Sequence, residues 1–164
     1  MTAPRPDAPP ATPGVRLPPP LIFLLGLGAG IALDRVVRPW PLIGGETAWW
    51  LYPIAGAFAL LALWLMGGAL GLFRRQGNDP RPWREDTALV VDGLYRHTRN
   101  PMYVGMALLH VAIALALDMA WPLVMLVPVL LVIRHYVIAR EEAYLARRFG
   151  HDYARYKSRV PRWL

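Results

Sequence analysis

The chain has no cysteine among its 164 residues. That absence removes disulfides, thiolate metal sites and cysteine nucleophiles together, and it leaves the redox compartment unreadable. The four histidines offer no metal spacing either. The closest two, His97 and His110, are 13 apart, and neither has a carboxylate or a second histidine within a helical turn. No Ser, His and Asp cluster argues for acyl transfer, and no glycine loop argues for phosphates. Acidic residues are scarce, 11 against 18 Lys and Arg, and the net charge is +7.

What fills the chain instead is blocked apolar sequence, 55% hydrophobic residues with 17 prolines. Leu21 to Val37 is interrupted only by Asp34 and Arg35, and Ala48 to Phe73 carries no charge at all. Met102 to Leu117 and Met119 to Ile133 follow. A hydrocarbon core about 30 Å thick takes roughly 20 helical residues, so these runs predict an all-α integral membrane protein with four transmembrane helices. The positive charge flanks them. Six arginines lie between residues 74 and 100 and seven Lys or Arg after Ala139, while the turn at Asp118 has none. By the positive-inside rule both basic segments face the cytoplasm, and Trp49, Trp50 and Tyr52 form an outer aromatic belt. Charge placed this way describes topology and not a nucleic-acid surface.

Residues 1–20 hold eight prolines and predict a disordered cytoplasmic arm. Arg5 and Arg16 ahead of a 13-residue apolar run mimic a signal peptide, but Arg35 and Arg38 crowd its exit, so an uncleaved first helix is expected. Within that helix "GLGAG" lacks the preceding strand and following acid of a dinucleotide site. Gly26 with Gly30, and Gly67 with Gly71, have the spacing of small residues at close helix contacts. Asp34 is expected to pair with Arg35 or Arg38 or to sit at the interface. His110, mid-span, is expected in a helix-to-helix hydrogen bond. The polar connector 76–92 reads as a cytoplasmic cover over the segment that follows it.

The stretch "GLYRHTRNPMYVG", residues 93–105, crowds polar groups against the start of an apolar run. Asn100 before Pro101 predicts a helix start, with the amide as cap and proline losing nothing at the first helical position. Such an end favours a carboxylate or a phosphate. If the next two helices turn near Met119, positions whose numbers sum to about 238 share a depth at equal helical rise. Arg99 is then level with Ala139, and Arg96 with Glu142. Hairpin counting brings "YRHTRNPMY" and "RHYVIAREEAY" to the same face. The fourth helix is expected to continue past the membrane as a cytoplasmic amphipathic helix, with Leu145, Phe149, Tyr153 and Tyr156 on one side.

At these two clusters the sequence resembles the integral-membrane methyltransferases that include isoprenylcysteine carboxyl methyltransferases and phospholipid N-methyltransferases. Gly93, Tyr95, Arg96, Arg99, Asn100, Pro101, Tyr103 and Gly105 match the first motif of that family; Glu141, Glu142, Leu145, Phe149, Gly150, Tyr153 and Tyr156 match the second. The resemblance covers residues 86–163 and makes 76–164 a methyltransferase-like core behind two further spans, 21–75. It implies a site for S-adenosyl-L-methionine open to the cytoplasm and a lipid-like methyl acceptor reached from the bilayer. Arg99, Asn100, Pro101, Tyr95, Tyr103, Glu142 and His97 would hold the cofactor, with the helix start and Arg99 facing its carboxylate and Glu142 its ammonium. Glu141 and Arg134 would face the acceptor. The carboxyl methyltransferases carry an arginine one turn before the first glutamate; here Val137 stands there, and Arg134, two turns before Glu141, is the substitute. A lipid amine and a prenylcysteine acid both stay open as acceptors. So do a non-catalytic membrane subunit of this fold and a nicotinamide-dependent relative of the sterol reductases.

Overall fold

The computed structural model describes residues 12–77 and 88–164. They are mostly helical, with no strand among the described residues. Helix α1 spans Pro19–Val36, α2 Leu51–Arg75, α3 Pro101–Ala116, α4 Ala120–Val132 and α5 Ala139–Arg159. A π-helical turn, Ile133–Ile138, joins α4 to α5 without a break. Among the described residues three helical runs are long and apolar enough to cross a bilayer: Pro19–Val36, Ala48–Arg75 and Ala120–Arg159. The protein is an integral membrane protein. Helix α3 is equally apolar but has 16 residues, about 24 Å of rise, so length alone does not make it a fourth span.

The helices pack as two pairs, α1 on α4 and α2 on α3, which meet where α3 contacts α4 and α1. Small residues set both pairings. A Cβ on Gly30 would lie 2.5 Å from Pro122 Cα and one on Gly26 would run into Val129, so α1 reaches α4 only because both are glycine. Gly105 does the same for α3, whose missing Cβ makes room for Met66 and for the Ala62 carbonyl of α2. The expected Gly67 and Gly71 contact is not formed, since a Cβ at either would meet nothing within 4 Å. His110 is buried between the pairs with Nε2 2.9 Å from the Pro122 carbonyl oxygen, the helix-to-helix bond the sequence predicts.

One end of the molecule is closed by a carboxylate. Asp118 turns the α3–α4 hairpin with φ of 52° and accepts backbone N–H groups of Leu42 and Ile43 on Oδ1, each at 3.0 Å, and of Gly44 on Oδ2 at 2.8 Å. Asp34 does not reach for an arginine there. Its Oδ1 accepts the Trp40 N–H at 2.9 Å, ending α1 in a turn. Trp40 packs edge-on against Trp121, and Trp49, Trp50 and Tyr52 stay exposed.

At the opposite end the proline-rich arm is not free. Residues 1–11 lie outside the described residues, but Val15 is only 3% exposed in a core with Phe23, Ile133 and Ile138. The Arg16 N–H donates to the Tyr136 hydroxyl, and Arg140 Nη1 donates to the Gly14 carbonyl while stacking on Tyr136. Composition predicts disorder because prolines bury little. It misses that a proline segment has little backbone entropy to lose on docking, so one buried Val and two hydrogen bonds hold it.

Gly30→Ala therefore forces α1 away from the Pro122 backbone and is expected to cost about 1–3 kcal/mol. Gly28→Ala, whose Cβ would meet nothing within 4 Å, should be neutral. Thermal unfolding of the two variants in detergent checks the difference.

Candidate functional site

A cavity of about 600 Å³ opens where α2 ends and α3 begins, within the roughly 300–1,000 Å³ usual for ligand sites. Its walls differ in character. Leu63, Met66 and Leu70 of α2 and Met106 of α3 form an apolar side, continued by Pro18, Pro19 and Pro20 at the start of α1. The floor is polar: Arg99 and Asn100 before α3, Glu141 and Glu142 on α5, and the rings of Tyr95, Tyr103, Tyr144, Tyr153 and Tyr156. Ala88, Leu89 and Val90 line one flank, while residues 78–87 of the polar connector lie outside the described residues.

Glu142 organises the floor. Its side chain is 11% exposed and Oε1 accepts from Arg99 Nη1 and Arg162 Nε, both at 2.9 Å. Oε2 accepts from Arg162 Nη2 at 2.7 Å and has Lys157 Nζ at 3.7 Å. Burial by itself would raise the Glu142 pKa, but the Arg162 hydrogen bonds and the charges of Arg99, Arg162 and Lys157 outweigh it and hold the carboxyl below the usual glutamate range. The same hydrogen bonds raise the Arg162 guanidinium further. Arg99 has its own second contact, Nη1 to the Tyr153 hydroxyl at 3.4 Å, while its buried Nε has no partner among the described residues. An N–H donor stranded in this way suits an anionic oxygen.

Two glycines of the matched motifs shape these contacts. Gly93, with φ of 59°, turns the chain against Leu72, where a side chain would collide. Gly150, at φ 47° and ψ −114°, kinks α5 in a region essentially reserved for glycine. Beyond the kink Tyr153 and Tyr156 lie along the chamber, and the Tyr156 hydroxyl donates to the Tyr95 carbonyl at 2.7 Å. Burial, before all else, pushes both phenols up, so they remain donors at neutral pH. The Tyr103 hydroxyl donates to Glu141 Oε1 at 2.6 Å.

Of the residues singled out in the sequence, Tyr95, Arg99, Asn100, Pro101, Tyr103, Glu141 and Glu142 line this one chamber. His97 and Arg134 are exposed and outside its lining. Counting two α-turns back from Glu141 puts Arg134 on the glutamate face, but the π turn adds a residue and rotates the register by about 100°. Val137 is fully buried in the core beside Tyr103 and Ile133, and it too is outside the lining. Asn100 starts α3 without capping it. The backbone carbonyl of Asn100 accepts from the Tyr103 and Val104 N–H groups, and its Nδ2 donates to the Arg162 carbonyl at 2.8 Å. Glu142, expected to face an ammonium, is engaged by three cations of the chain itself. Sequence reasoning passes over Arg162 and Thr98, which carry no motif signal; only an unpaired arginine after a Pro hints at the first.

Because the Glu142 pKa is depressed on folding, its contribution to stability is complete above the usual glutamate pKa and is lost as pH falls through the lowered value. Glu142→Gln should thus unfold at a lower temperature than the parent chain at neutral pH, and the two midpoints should converge in acid. A pH series of thermal melts in detergent checks it.

A model of the family described as phospholipid methyltransferase matches residues 54–152. That span contains most of α2, all of α3, the hairpin and the twin glutamates, and it stops short of Tyr153 and Arg162. An uncharacterized protein of Haemophilus influenzae (strain ATCC 51907 / DSM 11121 / KW20 / Rd) is 45% identical over 65 residues, 38% of this chain and the whole length of that protein. No solved structure matches. With more than half of the sequence matched, including Arg99, Asn100 and the twin glutamates, the chain belongs to the phospholipid methyltransferase family.

Proposed function

We propose that this membrane methyltransferase takes its methyl group from S-adenosyl-L-methionine and passes it to a lipophilic acceptor at the cytoplasmic side of the membrane. The observation that carries the reading is the two-sided chamber, polar and cationic at Arg99 and apolar along α2 and Met106. The residues present fit the cofactor. The unpartnered Arg99 Nε, with the positive end of α3 beside it, suits a carboxylate. Five tyrosines line the chamber, and a ring face turned to a sulfonium is worth up to about 2 kcal/mol when desolvated. Glu141, held by Tyr103, faces the acceptor in this reading.

When bound, the cofactor supplies a methyl group made electrophilic by a sulfonium. The chain's part is to orient and to keep water out, since the sulfonium charge is cancelled by a carboxylate acceptor or spread between sulfur and nitrogen by a neutral amine, and either transition state gains from a dry site. Tyr103, Tyr144 and Pro101 are buried and give the floor fixed walls. The side where the α1 and α2 pairs part, between Pro18–Pro20 and Leu63–Leu70, is the path proposed for the acceptor's chain from the bilayer. Four crossings with both basic segments in the cytoplasm complete the proposal, with α3 running back from the chamber to the Asp118 clasp. The acceptor headgroup, amine or acid, is left to experiment.

Calorimetry of the detergent-solubilised protein should give heat with S-adenosylhomocysteine in the micromolar range. Heat only with a nicotinamide nucleotide would replace the transferase with a reductase, and heat with neither would favour a non-catalytic subunit. Glu142→Gln should weaken the adenosyl ligand by about tenfold or more, the equivalent of one charge-assisted bond of about 1.5–3 kcal/mol.

A further inference from the structure

The strap that follows α5, Val160 to Trp163, is tied to the chamber floor through Pro161 and Arg162. The Arg99 N–H donates to the Pro161 carbonyl at 3.0 Å. The Arg162 carbonyl accepts from Asn100 Nδ2 at 2.8 Å and from the buried Thr98 hydroxyl at 3.3 Å. Val160 is buried, and Trp163 packs on the core that holds Val15 and Ile138. The Arg162 guanidinium then grips both oxygens of Glu142. Yet Arg162 does not line the cavity; Glu142 and Arg99 do. It stands behind them.

That arrangement decides which way the floor is charged. Glu142 offsets one cation of the floor and, when ionised, holds Arg99 in place through Nη1. Arg162 and Lys157 bring the count to three cations against Glu142 and its neighbour Glu141, so one positive charge is in excess beside Arg99, whose Nε lacks a partner among the described residues. We propose that Arg162 is a positioning residue of the ligand site: by occupying Glu142 from behind, it fixes the carboxylate against Arg99 and keeps Arg99 available to an anionic group of the ligand, a carboxylate of the cofactor. The inference rests on the functional reading above and assigns Glu142 a role through Arg99 instead of direct contact with an ammonium.

The groups that face Glu142 are Arg99 from the segment before α3, Tyr153 and Lys157 from the end of α5, and Arg162 from the strap, with Glu141 beside it and Tyr103 on Glu141. Removing Arg162 takes away the strongest favourable partner of the ionised carboxylate. Glu142 then protonates at a higher pH. Binding that needs the ionised form is lost sooner on the acid side.

The test measures S-adenosylhomocysteine affinity of the full-length protein in detergent, across pH, for the parent chain, Arg162→Gln, Arg162→Lys, Glu142→Gln and the Glu142→Gln/Arg162→Gln pair. Arg162→Gln is expected to bind about tenfold more weakly at neutral pH, as for a lost charge-assisted contact, with its acid limb moved upward. Arg162→Lys should fall between it and the parent. The double variant should be no weaker than Glu142→Gln alone, because both act through one carboxylate. Arg159→Gln, an exposed neighbour, serves as control and should match the parent. An Arg162→Gln affinity and pH profile equal to the parent's, or losses that add in the double variant, would overturn the proposal while leaving the transferase reading intact. A parent chain that does not bind S-adenosylhomocysteine at any pH would overturn both.

Discussion

A carboxylate held away from water has to be paired, and Glu142 draws its partners from three places. Leaving such a group unpaired costs several kcal/mol, more than any single turn of helix contributes, so the segments that supply its cations cannot drift apart independently. Arg99 brings the start of α3, Arg162 the strap after α5, and Lys157 the far side of the Gly150 kink. The chamber is the space these constraints enclose. Its other features follow from having to bring those groups to one point: a glycine at 93 to turn the chain into the floor, a glycine at 150 to fold α5 over it, and a π turn that rotates α5 relative to α4.

The opposite end of the molecule obeys the same rule with the roles reversed. There Asp118 gathers backbone N–H groups where Glu142 gathers guanidinium groups, and it fixes the hairpin from which α3 and α4 descend. Between the two carboxylates the helices meet through glycine, so their spacing is set by backbone contact and not by adjustable side chains. A hairpin clamped at both ends and closely packed between them has little freedom in register. That rigidity suits a transfer reaction governed by alignment.

Much of this was written in local sequence. Asn100 and Pro101 mark the first residue of α3, Asp118 and Met119 the turn, and the uncharged run to Phe73 the length of α2, because each depends on neighbours within a helical turn. The meeting of Arg99 with Glu142 was legible from hairpin counting, though the count pairs Arg99 with Ala139. The offset of three residues comes from the turn and from the π segment, which no apolar pattern announces. Arg134 misses the chamber for that reason. The strap and the docked residues 12–18 were opaque for another. Pro161, Arg162 and Val15 lie in proline-containing segments without periodicity, and their value appears only when distant carbonyl and carboxylate groups arrive beside them. The Asn100 amide illustrates the competition: a favourable local cap is given up for a carbonyl 62 residues away.

The central claim is that the α3 start, the twin glutamates of α5 and the strap form one ligand chamber at one end of the molecule. Hydrogen–deuterium exchange of the protein in lipid nanodiscs, with and without S-adenosylhomocysteine, tests it most directly. The account predicts that ligand protects residues 94–104, 139–157 and 160–163 together and leaves 40–50 and the Asp118 turn unchanged. Protection confined to one of the three segments, or centred on the Asp118 end, would contradict it.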